Sequence, residues 1–285
     1  MANKQITMNN LPEYSPWPAR LLGLEPWEIR KKTSEAVTRE YNVEKWGALL
    51  KQIQTSNFAP SLDNVNNLVF KDIGVSLCYD SGNIILKSAE LNYEKYINII
   101  KKELQAAKSA GGIVELGAGY GAIILNLAKH NIFQGKTITA GEYTKTGREL
   151  IKIISKHENI VANVYSCDLS KEVMIDGHIS ERSIIFTSYA ACYVPIMTDQ
   201  FVDSLIATNP NLIIHFEPCY AHYDERTLLG LMCKRYIELN DYNKNLATIL
   251  HQNEEKGKIK IVKEKQVVIG NNPFLPISII AWKPI

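Results

Sequence analysis

The chain has 285 residues, 46% of them hydrophobic, and 32 basic against 30 acidic side chains for a formal net charge of +2. That is enough for one large buried core plus an appendage, and the near-balance of charge disfavours a protein built to neutralise nucleic-acid phosphates. No run reaches the roughly eighteen apolar residues of a membrane span, and the first residues lack the apolar stretch of a secretion signal.

Five cysteines without a C-x-x-C pair argue against a disulfide framework or a zinc knuckle. Cys192, Cys219 and His222 match no standard ligand spacing, so no metal is expected. Reduced buried thiols and a cytoplasmic location are the default expectation, with no membrane partner.

In chain order, residues 1–105 read as an appended cap. "LPEYSPWPARLLGLEPWEIRKKTSEAVTREYNVEKWGALLKQI" sets Pro12, Pro16, Pro18 and Pro26 among aromatics and then turns charged and helical. Tyr14, Trp17 and Trp27 are candidates for a lid. "VSLCYDSGNIIL" predicts a hairpin turning at Asp80 to Asn83, and Tyr93 to Ala107 an amphipathic helix leading into a sheet.

From residue 106 onward strand-like and helix-like segments alternate, as in a doubly wound parallel sheet. The predicted strands are Gly112–Leu116, Thr137–Gly141, Ile160–Ser166, Ser183–Thr187 and Leu212–Phe216. Helices are expected at Ala122–His130 and Lys145–Lys156, followed by one long helical region from Asp224 to about Leu250. "KIKIVKEKQVVIG" and "PISIIAWKP", parted by Asn271-Asn272-Pro273, predict a closing antiparallel pair.

The first strand runs into "VELGAGYG". Glycines at the end of a parallel strand let the backbone turn sharply and approach a ligand of nucleotide type at the carboxyl end of the sheet. Gly117, Gly119 and Ala122 fit the dinucleotide pattern G-x-G-x-x-A, whereas Glu115, Gly117, Gly119 and Gly121 fit E-x-G-x-G-x-G. Glu142, about twenty residues beyond, offers paired acceptors to the two vicinal hydroxyls of a ribose in either case. An acid in the turn, Glu115, suits an ammonium group and repels phosphate, which favours a cationic ligand.

These motifs, in this order, resemble the class I S-adenosylmethionine-dependent methyltransferases over residues 105–285. "VELGAGYG" resembles the family's first motif, "TAGEY" places Glu142 where the family binds both ribose hydroxyls, and "CDLS" places Asp168 where it binds the adenine amino group. The resemblance implies a Rossmann-like seven-stranded sheet, mostly parallel with an antiparallel C-terminal hairpin. It also implies S-adenosyl-L-methionine as donor and S-adenosyl-L-homocysteine as product. The implied donor site comprises Glu115, Gly117, Ala118, Gly119, Gly121, Glu142, Tyr143, Asp168, Leu169 and Ser188.

Because the carboxyl ends of strands four and five are expected to flank the first strand, they should border the acceptor. Tyr189 then lies beside the donor, Glu217 is the candidate to orient or deprotonate the acceptor, and His222 lies near it in sequence. Arg235, Tyr236, Asp241, Tyr242 and Asn243 are further candidates for the pocket wall. The expected reaction is methylation at O or N of a small metabolite or natural-product intermediate. The alternatives are a peptide or an arginine side chain, for which Glu217 and Asp224 are suitable partners, an NAD-dependent oxidoreductase, and a non-catalytic nucleotide-binding module.

Overall fold

The computed structural model describes residues 4–29, 31–55, 58–105, 111–130, 133–172 and 174–285. Ten strands form one mixed sheet: β1 (Lys4–Ile6), β2 (Val75–Asp80), β3 (Asn83–Ser88), β4 (Gly112–Leu116), β5 (Thr137–Glu142), β6 (Ala162–Ser166), β7 (Ile184–Ser188), β8 (Leu212–Glu217), β9 (Ile259–Gly270) and β10 (Ile277–Pro284). Their order is β1-β3-β2-β9-β10-β8-β7-β4-β5-β6. The four junctions among β8, β7, β4, β5 and β6 are parallel, and the five from β1 to β8 are antiparallel. The expectation of a seven-stranded, mostly parallel sheet is therefore corrected.

The difference comes from the N-terminal segment. Ser81 (φ 49°) and Gly82 (φ 92°) make the tight left-handed turn that the twist of a two-residue hairpin requires. The hairpin then adds to the sheet through Tyr79 and Asp80, opposite Gly270 and Ile269 of β9. The terminal antiparallel pair β9–β10 is present, with Ile277 opposite Ile269.

Ten α-helices accompany the strands among the described residues: α1 (Trp17–Leu21), α2 (Ser34–Val37), α3 (Trp46–Thr55), α4 (Leu62–Ile73), α5 (Ala89–Gln105), α6 (Ala122–Ala128), α7 (Lys145–His157), α8 (Asp199–Ile206), α9 (Leu228–Leu239) and α10 (Leu246–Glu255). Between α2 and α3 the backbone is π-helical from Thr38 to Lys45. The last two residues of the predicted helix 93–107 lie outside the described residues. The single helical region expected from Asp224 is two helices, parted at Asp241, whose φ of 53° is left-handed. There Asn243 Oδ1 accepts the N–H groups of Asn245 (3.0 Å) and Leu246 (2.7 Å), which starts the second helix afresh.

The central strands β4 and β7 are buried along their whole length, as strands covered on both faces must be. Apolar faces of α3 to α7 fill one side of the sheet, and those of α8 and α10 the other. A third cluster joins the N-terminal residues to α9 and to the turn before β10. No helix among the described residues is long and apolar enough to cross a membrane.

Register fixes where chemistry can occur. Leu116 pairs with Gly141 and Thr187, Glu142 with Ser166, and Ser188 with Phe216. The carboxyl ends of β4 to β8 thus form one crest, and the loops leaving it carry the functional residues.

Candidate functional site

A cavity of about 660 Å³ lies over this crest, within the usual range of small-molecule sites. Its floor begins at the glycine turn. Gly117 (φ 82°) accepts no other residue, because a Cβ there would lie 2.2 Å from Ala190 Cβ. Four of the turn's N–H groups are consumed internally. Those of Gly117 (2.7 Å) and Ala118 (3.0 Å) donate to Gly141 O, that of Gly121 to Ala118 O (2.8 Å), and that of Gly119 to Glu142 Oε2 (2.8 Å). Glu115 Oε2 accepts the Ile124 N–H at 3.0 Å.

Three acids line the cavity from three strand ends. Glu142 is buried and takes the N–H (2.9 Å) and hydroxyl (2.6 Å) of Thr144 besides Gly119. Burial raises its carboxyl above the usual carboxylate range, against those hydrogen bonds. Burial pushes Glu115 well up, again opposed by its bond from Ile124. Asp168 is fixed by Ser170, whose N–H (3.0 Å) and hydroxyl (2.6 Å) both meet Oδ1.

Of the donor residues expected from sequence, Glu115, Gly117, Ala118, Gly119, Glu142, Tyr143, Asp168, Leu169 and Ser188 all line this cavity. Gly121 does not: it starts α6 with a left-handed φ of 87° and packs toward Ile151 and Leu125. Ser188 meets the Tyr96 hydroxyl at 2.6 Å, in the same cavity.

The expected catalytic trio is divided. Tyr189 lines the cavity, with a left-handed φ of 50° and its hydroxyl donating to Leu275 O at 3.1 Å. Burial pushes its phenol up, so it remains a protonated wall residue.

Glu217 is fully buried away from the cavity. Its carboxylate accepts the N–H groups of Ala190 (2.9 Å), Ala191 (3.0 Å) and Cys192 (3.2 Å), holding the loop after β7. The physical reason is sheet order: β5 and β7 flank β4, and β8 lies one strand further out.

His222 is also outside, with Nε2 2.7 Å from Glu264 and Nδ1 2.8 Å from Ser278 Oγ. On β8, His215 is held between Thr187 and Trp282 at 3.0 Å each, and burial lowers its pKa to about 3. Asp224 pairs with Arg226 at the surface.

The roof comes from a part of the N-terminal segment that the sequence did not single out. Tyr14, Trp17 and Trp27 do not line the cavity; they pack in the third cluster, Trp17 with its ring centroid 4.4 Å from that of Tyr236. Residues 32–46 form the cover instead. Trp46 lies against Gly119, where a Cβ would come within 3.1 Å of its ring.

Three contacts tie this cover to the sheet domain. Asn42 binds Thr146 through Oδ1 at 3.0 Å, the Tyr41 and Tyr193 hydroxyls bond to each other, and the Lys32 N–H donates to Asp241 Oδ2 at 2.9 Å. Of the candidates from α9 and the break after it, Tyr236 and Tyr242 reach the cavity; Arg235, Asp241 and Asn243 do not line it. The available signal for the cover was the i, i+5 pair Tyr41 and Trp46, which shares a face only in a π-helix.

No family model matches the sequence, and no curated protein matches it. Among solved structures, the chain is similar to the [4+2]-cyclase SpnF, with TM-score 0.54 and 10% identity over 91% of this chain and 100% of that one. It is also similar to magnesium protoporphyrin IX methyltransferase from Synechocystis PCC 6803 with bound S-adenosylhomocysteine, with TM-score 0.52 and 12% identity over 88% of this chain and 99% of that one. The same enzyme with bound S-adenosylmethionine gives TM-score 0.51 and 11% identity over 88% and 96%. The chain has the class I methyltransferase fold.

Proposed function

We propose that the protein is an S-adenosylmethionine-dependent methyltransferase acting at O or N of a small metabolite or natural-product intermediate. The observation that carries this is the state of the glycine turn. The N–H groups of Gly117, Ala118, Gly119 and Gly121 are already bonded within the protein and two buried acids lie beside it. A pyrophosphate would find an acidic, donor-poor cradle there, whereas a ribose, an ammonium and a sulfonium find acceptors. The site chemistry therefore fits adenosylmethionine and opposes the dinucleotide reading. The bound methyltransferase neighbours agree with this donor.

In this reading Glu142 takes the ribose hydroxyls, Glu115 faces the amino-acid end, and Asp168 with Leu169 holds the adenine. Bound there, the sulfonium supplies an electrophilic methyl group. The protein's contribution is to exclude water under Trp46 and Tyr41 and to hold a nucleophile in line. Among the described residues no histidine lines the cavity, and its three carboxylates, Glu115, Glu142 and Asp168, are those assigned to the donor, so in this reading positioning rather than proton abstraction carries the rate.

Glu217 and Asp224, the acids named as suitable partners for an arginine acceptor, do not line the cavity. A covered cavity also favours a compact acceptor over a folded protein. Because the fold is shared with a [4+2]-cyclase, fold alone does not fix the chemistry.

The test is thermal unfolding with S-adenosylhomocysteine or NADH, then transfer of labelled methyl to small-molecule and peptide pools. Ligand at about 100 times its Kd is expected to add about 2.7 kcal/mol of stability, a shift of several degrees, with no shift from NADH. The reverse pattern contradicts the proposal.

A further inference from the structure

The charged side chains lining the cavity are segregated. Glu115, Glu142 and Asp168 stand at the glycine-turn end, while Lys32 and Lys45 come from the cover. Of the two lysines, Lys32 is the buried one, its side chain only 6% exposed against 46% for Lys45. A buried ammonium at the wall of a largely apolar cavity is costly unless it is compensated.

The compensation visible here is partial. Lys32 Nζ lies 4.9 Å from the ring centres of both Tyr193 and Tyr242, and 3.2 Å from Glu40 Oε2. Glu40 is shared, since its other oxygen is 2.8 Å from Lys45. Asp241 holds the Lys32 backbone N–H, and neither it nor Glu40 lines the cavity. The residues that line the cavity at this end thus include two lysines and the tyrosines Tyr41, Tyr193 and Tyr242, with the Tyr41 hydroxyl donating to that of Tyr193. The lysines are the only ionic groups among them and both are cationic.

This end is separate from the donor floor. Lys32, Tyr193 and Tyr242 belong to the cover, to the loop after β7 and to the break between α9 and α10, whereas the donor acids lie at the ends of β4, β5 and β6. We propose that this end of the cavity recognises an anionic oxygen group on the acceptor, a carboxylate, with Lys32 as its counter-charge. The two tyrosine faces hold the ammonium aimed along the wall, and the apolar lining between Lys32 and the glycine turn takes the body of the acceptor. The inference rests on the methyltransferase reading, and it makes Lys32 a specificity residue rather than a catalytic one. A cationic acceptor is disfavoured by the same geometry, because it would displace or oppose Lys32.

The experiment uses the full chain saturated with S-adenosylhomocysteine. Three probes with one ring and different ends are titrated by calorimetry: 4-hydroxyphenylacetate, 4-hydroxyphenylacetamide and tyramine. The acid is expected to bind about tenfold tighter than the amide, a difference of about 1.4 kcal/mol, and tyramine weakest. Lys32→Met should bring the acid-to-amide ratio near one, and Lys32→Arg should keep it, with affinity for S-adenosylhomocysteine unchanged in both as the check that each variant is folded. Tyramine binding tightest, an acid-to-amide ratio indifferent to Lys32→Met, or no binding by any of the three to the loaded protein would overturn the proposal. Failure of S-adenosylhomocysteine itself to bind would instead remove the methyltransferase reading beneath it.

Discussion

Replacing Glu142 with alanine is expected to weaken binding of S-adenosylhomocysteine at least about a hundredfold. Two hydrogen bonds to an ionised acceptor contribute about 1.5–3 kcal/mol each, and each 1.4 kcal/mol is tenfold. The carboxylate also bonds Gly119 and Thr144, so its loss loosens the turn itself. Glu142→Gln, which keeps one acceptor oxygen, should fall between the two. Calorimetry at fixed pH decides the matter, and an unchanged Kd for the alanine variant would mean that the ribose lies elsewhere.

The same acids set the sign of a pH effect. Burial raises the carboxyls of Glu142 and Glu115, so the free protein holds their protons more tightly than the unfolded chain does. Their contribution to stability is full below the unfolded pKa and is lost as pH rises through the folded pKa. A cationic donor binds the ionised form, so its affinity should fall as pH is lowered through the folded pKa from above, with protons released on binding in that range.

The second large effect concerns Glu217. Glu217→Ala leaves three N–H groups of the loop after β7 without their acceptor. At about 1–3 kcal/mol for each buried group left unsatisfied, a loss of several kcal/mol is expected, read as a lower denaturation midpoint. Glu217→Gln retains one acceptor and should cost less stability, with turnover per folded molecule within a few-fold of the parent. A general base contributes about 10²- to 10⁴-fold. Glu217→Gln with the parent's stability and turnover reduced in that range would restore the catalytic role that its position in the sequence suggested.

Glu217 also illustrates what the sequence could and could not disclose. Alternation along Leu212–Glu217 correctly places an acid at a strand end. Which neighbour that strand pairs with is a long-range choice, and β8 sits beside β7 rather than β4, so the acid caps a loop.

The strands β4, β5 and β8 were legible because each is a short apolar run ended by glycine or an acid: Gly112–Leu116 is found as read, and Thr137–Glu142 is one residue longer. β1 was illegible, since three residues, Lys4–Ile6, carry no alternation and form a strand only by pairing with β3. The break at Asp241 had a local signal, the asparagine-rich run from Asn240 to Asn245, which the apolar stretches on either side outweighed.

The cavity floor followed from local signals: Gly117, Glu142 and Asp168 each sit within two residues of a strand end. The cover did not. Lys32, Tyr41 and Trp46 come from a charged segment without apolar periodicity, and they meet only because its π-helical turns bring the Trp46 N–H to Tyr41 O. Prolines and tryptophans near residue 17 drew attention instead, and their large apolar surface is spent against α9.

The most direct test is a crystal structure grown with S-adenosylhomocysteine. The account predicts the nucleoside lying across the ends of β4, β5 and β6, both ribose hydroxyls on Glu142 and the homocysteine tail against Gly117 to Gly119 beneath Trp46. A ligand bound elsewhere, or that crevice filled by the protein's own side chains at saturating ligand, would contradict it.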